Sequence, residues 1–180
     1  MPATITIRRL TSTTPTSTDI TSINTRANAE DAHSTAGTTN PIQIPAAGTN
    51  YSFWVVTQLN ATTSPSSIIN NIKWYTDGTN SFGTGVTMKV NTATGYVQAT
   101  GTTGTTGNIL NTTNYATLAG ATSDAFTYTS ASPLSVTGSL SNPSTGAFGD
   151  RVVYQIEVGT TASPGTTAVA ETITWRYDEV

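Results

Sequence analysis

The sequence predicts an all-β protein: an antiparallel β-sandwich of jelly-roll or immunoglobulin-like type, with about 8–10 short strands and little helix. Three observations predict it. Apolar and polar residues alternate with a period of two along many stretches, whereas the helical period is almost absent. Clusters rich in Gly, Pro, Asn and Asp interrupt those stretches every 8 to 20 residues or so, roughly the spacing of turns in a sandwich. Thr and Ser make up about a third of the chain, and a β-branched Thr packs well on a pleated face while its hydroxyl accepts either water or a neighbour.

Taken in order, Ile5 and Ile7 alternate with Thr4 and Thr6 in the first strand. Tyr51, Phe53, Val55 and Leu59 share one face of a second run, and Trp54 and Val56 lie on the other. That run is apolar on both sides, as expected in the middle of a sandwich or at a subunit contact. A strand carrying Trp74 follows, then Val86, Met88 and Val90 in alternation with Thr87 and Lys89. Short strands are expected at 96–99, around Phe126 and Tyr128, and around Leu134 and Val136. Val152, Tyr154, Ile156 and Val158 face away from Arg151, Val153, Gln155 and Glu157, the cleanest amphipathic pattern in the chain. The last strand puts Ile173, Trp175 and Tyr177 on one side and Thr172, Thr174 and Arg176 on the other. Residues 24–32 and 111–118 could each hold a single helical turn. TSTTPTST, DGTNSFGTG, GTTGTTGN and SNPSTGAFGD read as turns or loops.

With 180 residues the chain suits one domain, 1–180, with a real core. Residues 11–50 carry fewer large apolar side chains, which marks them as an extended arm or a long loop.

Only 9% of residues are charged, against about 25% in an ordinary soluble protein. Hydroxyls keep this surface wet, and burying a Thr at a contact costs far less than burying a Lys or Glu. The net charge is -3 and the pI about 4.8, with seven basic residues scattered from Arg8 to Arg176. No basic stripe exists, so no nucleic-acid partner is expected. Zero cysteines exclude a disulfide framework, a thiolate metal site and a cysteine nucleophile. No window approaches the roughly 20 apolar residues of a membrane span, and MPATITIRRL lacks the pattern of a signal peptide. The expectation is a protein made in the cytoplasm of its host, without a membrane. The three sequons at Asn50, Asn60 and Asn111 are what so Thr-rich a chain contains by chance.

The stretch INNIKWYTDGTNSFGTGVTMKV has the Asp, Asn and Gly content of a metal loop or a ligand cradle. A calcium loop needs oxygen ligands at positions 1, 3 and 5, a Gly at 6 and a Glu at 12. Asp77, Thr79 and Ser81 supply the first three, but Phe82 and Met88 stand at the last two. A phosphate loop needs a Lys and a following helix, and here an alternating run follows. The segment reads as a turn between two strands. His33 is the only histidine, it lies in the polar stretch AEDAHST, and no G-x-S-x-G exists, so no Ser-His-Asp arrangement is available. Ten acids could in principle include a glycosidase pair, but Asp77, Asp124 and Asp150 sit in turns and Asp178 and Glu179 at the C-terminus. No catalytic, cofactor-binding or metal-ligating residue is assigned, no cofactor is expected, and the protein is not read as an enzyme. Exposed Trp54, Trp74, Trp175, Tyr75 or Tyr177 could offer a platform to a sugar ring, although a Trp on an alternating strand is more often a core anchor.

IKWYTDGTNSFGTGV, YVQATGT and the closing ITWRYDEV resemble small β-rich virion proteins of tailed bacteriophages, the head decoration and neck or tail types. The resemblance implies a non-enzymatic virion structural protein, above all a capsid decoration or cement protein that binds and stabilises the head. Its alternatives are a tail or neck component, or a carbohydrate-binding or adhesin module. The implied partners are other virion proteins (the major capsid protein or neck and tail proteins) and copies of itself. Residues 3–9 and 172–178 are the segments where strand pairing with a neighbour is expected, unless they are ordinary strands of a closed sandwich.

Overall fold

A computed structural model describes residues 2–36, 39–165 and 170–180. Among them eight strands of three residues or more are formed: β1 (Ile5–Thr11), β2 (Thr16–Asp19), β3 (Thr49–Tyr51), β4 (Val55–Ala61), β5 (Ile68–Tyr75), β6 (Val86–Ala93), β12 (Gly146–Gly159) and β13 (Thr174–Glu179). Five two-residue ladders complete the set: β7 (Gly101–Thr102), β8 (Thr106–Gly107), β9 (Ser123–Asp124), β10 (Leu134–Ser135) and β11 (Leu140–Ser141). The larger sheet has the order β2-β1-β4-β12-β6-β9, with β3 also on β12. In the smaller one β5 is central, with β10 and β11 along one edge and β13 on the other. Every pairing is antiparallel. The all-β sandwich expected from the alternation is what the chain forms.

Two apolar clusters hold it. Between the sheets lie Val55 and Leu59 of β4, Ile69, Ile72 and Trp74 of β5, Met88 and Val90 of β6, and Val152, Tyr154, Ile156 and Val158 of β12. The second cluster sits on the outer face of the large sheet, where Trp54, Val56 and Val153 meet Ala99, Leu110, Tyr115 and Leu118 from the connection between β6 and β9. Trp54 and Tyr115 pack edge to face with ring centroids 5.5 Å apart, and the Trp54 indole N–H donates to the Val97 carbonyl at 2.9 Å. The run that is apolar on both sides is thus a strand buried on both faces of one chain. The same cover changes the reading of β12, because its polar-looking face is also inside: Val153 and Gln155 are both fully buried.

Alternation breaks where the backbone does. The run from Tyr51 to Leu59 is two strands, β3 and β4, and the intervening Phe53 joins the outer cluster rather than the face of Val55. In β5, Asn71 adopts φ 49 and supplies one extra residue between the Asn70 and Lys73 registers with β13. This bulge keeps Ile69, Ile72 and Trp74 on one face although their spacing is three and then two. Phe126 lies in a 3-10 turn, Ala125–Thr127, capped by Asp124, whose side chain accepts from the Phe126 amide. Residues 96–99 form no strand. Of the two segments considered for a helical turn, 24–32 forms none, and Asn111 closes a single turn by accepting the Tyr115 amide at 2.8 Å. The stretch after β2 is a long connection tied to its own chain: Ala29 is fully buried, and Phe53 donates to the Asn28 carbonyl at 2.9 Å.

Candidate interaction surface

The two sheets differ in width, and the connection after β2 rises along the side that the smaller sheet does not cover. What remains between them is an open cavity of about 900 Å3. Its floor is the inner face of the large sheet: Ile7 of β1, Thr57 of β4, Tyr154 and Ile156 of β12 and Met88 of β6. One wall is Ile173 and Trp175 at the start of β13, and the other is residues 20–28 with Pro41, Ile42 and Ile44. The floor is mainly aliphatic and aromatic because its residues are the inward halves of alternating strands, whereas the walls add polar groups from Asn24, Arg26, Asn28, Ser163 and Glu171. Ile23 and Ile44 on the far wall are exposed at 47% and 37%, so apolar surface reaches the rim.

Arg9 anchors that wall. Its position on β1, two residues after Ile7, points it to the inner face, where it is 1% exposed. One guanidinium nitrogen, Nη1, donates to Thr25 Oγ1 and to the Arg26 carbonyl, each at 2.6 Å, while Nε is buried without a partner. Burial lowers the guanidinium's pKa from its ordinary value, and the negative potential of Tyr154, Asp31 and Glu30 partly opposes this. Thr25 Oγ1 also meets His33 Nδ1 at 3.2 Å. Burial first and the Arg9 charge second lower the imidazole's pKa. Asp31 ties the same connection to the outer cover, accepting from the Ser12 amide at 2.9 Å and from Gln98 Nε2 at 2.8 Å.

On the near wall, β13 pairs among the described residues with β5 alone. Trp175 and Tyr177 turn inward and pack on the inner cluster, yet they stay half-buried because no further strand of the described residues lies beside them. Trp54 and Trp74 are 3% and 0% exposed, so of the three indoles only Trp175 reaches the surface appreciably. By contrast β1, the other terminal strand, has β2 on one side and β4 on the other.

Of the acids expected to be solvated, Asp77, Asp124, Asp178 and Glu179 are spent on local structure, and so is Glu171. Asp77 accepts the Thr79 amide at 2.8 Å, and Glu171 accepts the Ser81 amide at 2.6 Å. Asp178 accepts Asn71 Nδ2 at 2.7 Å. Glu179 accepts the Ala3 amide at 2.9 and 3.0 Å and the Ser66 amide at 3.0 Å. Among the described residues no three His, Cys, Asp or Glu side chains gather closely enough to hold a metal ion. The DGTNSFGTG segment crosses from β5 in the small sheet to β6 in the large one, with Gly78, Gly83 and Gly85 at φ 87, 91 and 76. Phe82 from this crossing packs against Phe126, centroids 6.1 Å apart. Sequence alone does not reveal the cavity, since its floor and walls come from separate stretches whose meeting depends on strand order. The one legible signal was the inward alternation of Ile173, Trp175 and Tyr177 in a terminal strand. Comparison of the chain with known protein families, with curated proteins and with solved structures finds no match in any of the three.

Proposed function

We propose that this chain is a non-enzymatic structural protein of a tailed-phage virion, a decoration or cement protein that binds the head and stabilises it. The supporting observation is the unfinished side of the sandwich. Among the described residues β13 has a partner on one edge only, and beside it a cavity of about 900 Å3 with an apolar floor is open between the sheets. A strand edge next to an apolar groove is the arrangement that β-strand addition uses, main-chain bonds giving affinity and alternate side chains entering the groove. The sparse charge supports the same reading, because cores of protein interfaces are depleted in charged residues. Repetition over a capsid would multiply a modest contact into firm attachment. A sugar-binding role has less support, since Trp54 and Trp74 are inside and offer no stacking platform.

The test compares particles assembled with and without the chain. Electron microscopy should place its density on the outside of the head, and particles lacking it should lose their genome at a lower temperature. Particles of unchanged mass, outline and heat resistance would sink the proposal, and density at the neck or tail would move the protein there.

A further inference from the structure

The open edge of β13 has a definite hydrogen-bonding phase. Val180 exchanges both backbone bonds with Ile68, at 2.9 and 3.0 Å. With the period of two, Asp178, Arg176 and Thr174 also aim their amides and carbonyls at β5, in register with Asn70, Lys73 and Tyr75. The extra residue at the bulge belongs to β5, so β13 itself stays regular. Trp175, Tyr177 and Glu179 therefore direct their N–H and C=O groups away from β5, where no backbone partner is found among the described residues. The side chains alternate as well: Arg176 and Asp178 are exposed, while Trp175, Tyr177 and Glu179 are half-buried on the inner side.

An incoming antiparallel strand must match this phase and this charge. Opposite Asp178 it needs a basic residue, opposite Arg176 an acidic one, and opposite the inward-facing Tyr177 an aromatic or aliphatic one. Read in its own direction that strand is basic, apolar, acidic at consecutive positions. Arg176, Tyr177 and Asp178 are that sequence.

We propose that the occupant of this edge is β13 of a second copy of the chain, paired antiparallel about a two-fold axis through Tyr177. Tyr177 then faces Tyr177 of the other copy, Trp175 faces Glu179 on either side, and Arg176 faces Asp178 twice across the interface. Directly opposed side chains on an antiparallel pair lie about 4.5–5.5 Å apart at Cβ, where opposite charges attract and like charges repel. The neighbouring symmetric registers are disfavoured by this rule. An axis at residue 176 sets Arg176 against Arg176, and one at residue 178 sets Asp178 against Asp178. Among the described residues Arg176 lies opposite Lys73 and meets the Tyr75 ring, 5.9 Å from its centroid, with no carboxylate paired to it. The Glu179 carboxylate facing Trp175 is already satisfied by the Ala3 and Ser66 amides. The result is one continuous sheet through two copies, in which the β13 edge serves self-association and the cavity beside it is left for the head.

This pairing deepens the assembly reading and rests on it, and the experiment separates the two. Sedimentation of the 180-residue chain at low salt is expected to show a dimer. Arg176→Asp or Asp178→Arg alone should raise the dissociation constant roughly tenfold, since each sets like charges opposite one another twice. The double variant Arg176→Asp/Asp178→Arg should dimerise like the original, and this recovery keeps the test independent of any folding defect. Tyr177→Cys, the only thiol in the chain, should oxidise to a covalent dimer, because residues facing each other across the axis lie within disulfide reach, about 5.5 Å between Cα atoms. Arg176→Cys should not. A monomer at about 100 μM, or single and double charge variants that associate equally, would overturn the pairing. A monomer that still binds heads would overturn the pairing alone, and a dimer that joins no particle would sink the capsid reading alone.

Discussion

The Gln155 side-chain amide donates to the Ser52 carbonyl at 2.7 Å from a position with no exposure to solvent. The same Nε2 donates to the Asn108 carbonyl at 2.7 Å, and Oε1 accepts the Leu110 amide at 2.7 Å. Ser52 completes the arrangement, its Oγ accepting the Ile156 amide at 3.0 Å. One side chain thus joins β12, the break between β3 and β4, and the cover over the outer cluster. Gln155→Leu keeps the volume but strands two carbonyls and an amide, each worth about 1–3 kcal/mol when buried without a partner. The expected loss is about 3–5 kcal/mol in urea unfolding. Gln155→Glu should be worse at neutral pH than in acid, because only the protonated carboxyl can donate to a carbonyl.

Gly138 and Gly149 touch where β12 is irregular, its register with β4 shifting between Phe148 and Val152. A Cβ on Gly138, which sits at φ 124, would lie 2.5 Å from Gly149 Cα. The backbone on both sides is held, with the Asp150 amide donating to Thr137 at 2.7 Å and Gln58 Nε2 donating to Gly149 at 2.7 Å. Gly138→Ala is expected to cost about 2–4 kcal/mol and to lower Tm by roughly 5–15 °C for a chain of this size. Gly159→Ala is the control. Its nearest neighbour would be at 3.6 Å, and its Tm should shift by no more than about 3 °C.

Arg9 holds the far wall of the cavity through two 2.6 Å bonds to Thr25 and Arg26. Arg9→Ala should free that wall while β12, deeper in the sheet, keeps its protection. Hydrogen exchange is the measurement: peptides covering 24–29 should exchange at least tenfold faster, and those covering 152–158 should change little. Equal acceleration in both would mean that Arg9 serves the whole fold rather than the wall.

His33 gives the stability an acid limb. Burial and the Arg9 charge lower its folded pKa below the ordinary 6.5, so the unfolded chain takes up the proton first as pH falls. The neutral imidazole's contribution is therefore present above about pH 6.5 and is lost as pH drops towards the folded value. The urea midpoint of the wild type should fall between pH 7.5 and 5.5, and His33→Gln should reduce that fall over the same interval. An unchanged profile would show that the imidazole titrates alike in both states.

How far this molecule could be read from its sequence depended on whether local alternation survived into the fold. Val152 to Val158 gave an inward face directly, and Ile173, Trp175 and Tyr177 gave another. TSTTPTST read as a turn because its side chains carry no pattern, yet Thr16–Asp19 is a strand held by main-chain pairing with Arg8–Thr11, for which side-chain alternation leaves no trace. Asn71 hid the phase of β5, since a residue at φ 49 shifts the following residues to the opposite parity. Phe126 and Tyr128 alternate but belong to a capped turn. Val153 and Gln155 were read as a wetted face because the loop that covers them, from Tyr96 to Leu118, is distant in sequence. The groove beside β13 was illegible for the same reason, although the half-exposed aromatics that mark it were not.

β4 and β12 each serve both apolar clusters, Val55 and Leu59 in one against Val56 in the other, and Val152 and Tyr154 against Val153. Neither cluster can melt while its neighbour survives, because the strands between them are common property. The chain should consequently cross from native to denatured in a single step. Emission from Trp54 and from Trp74, one indole in each cluster, should trace superimposable curves when the other tryptophans are replaced by Phe.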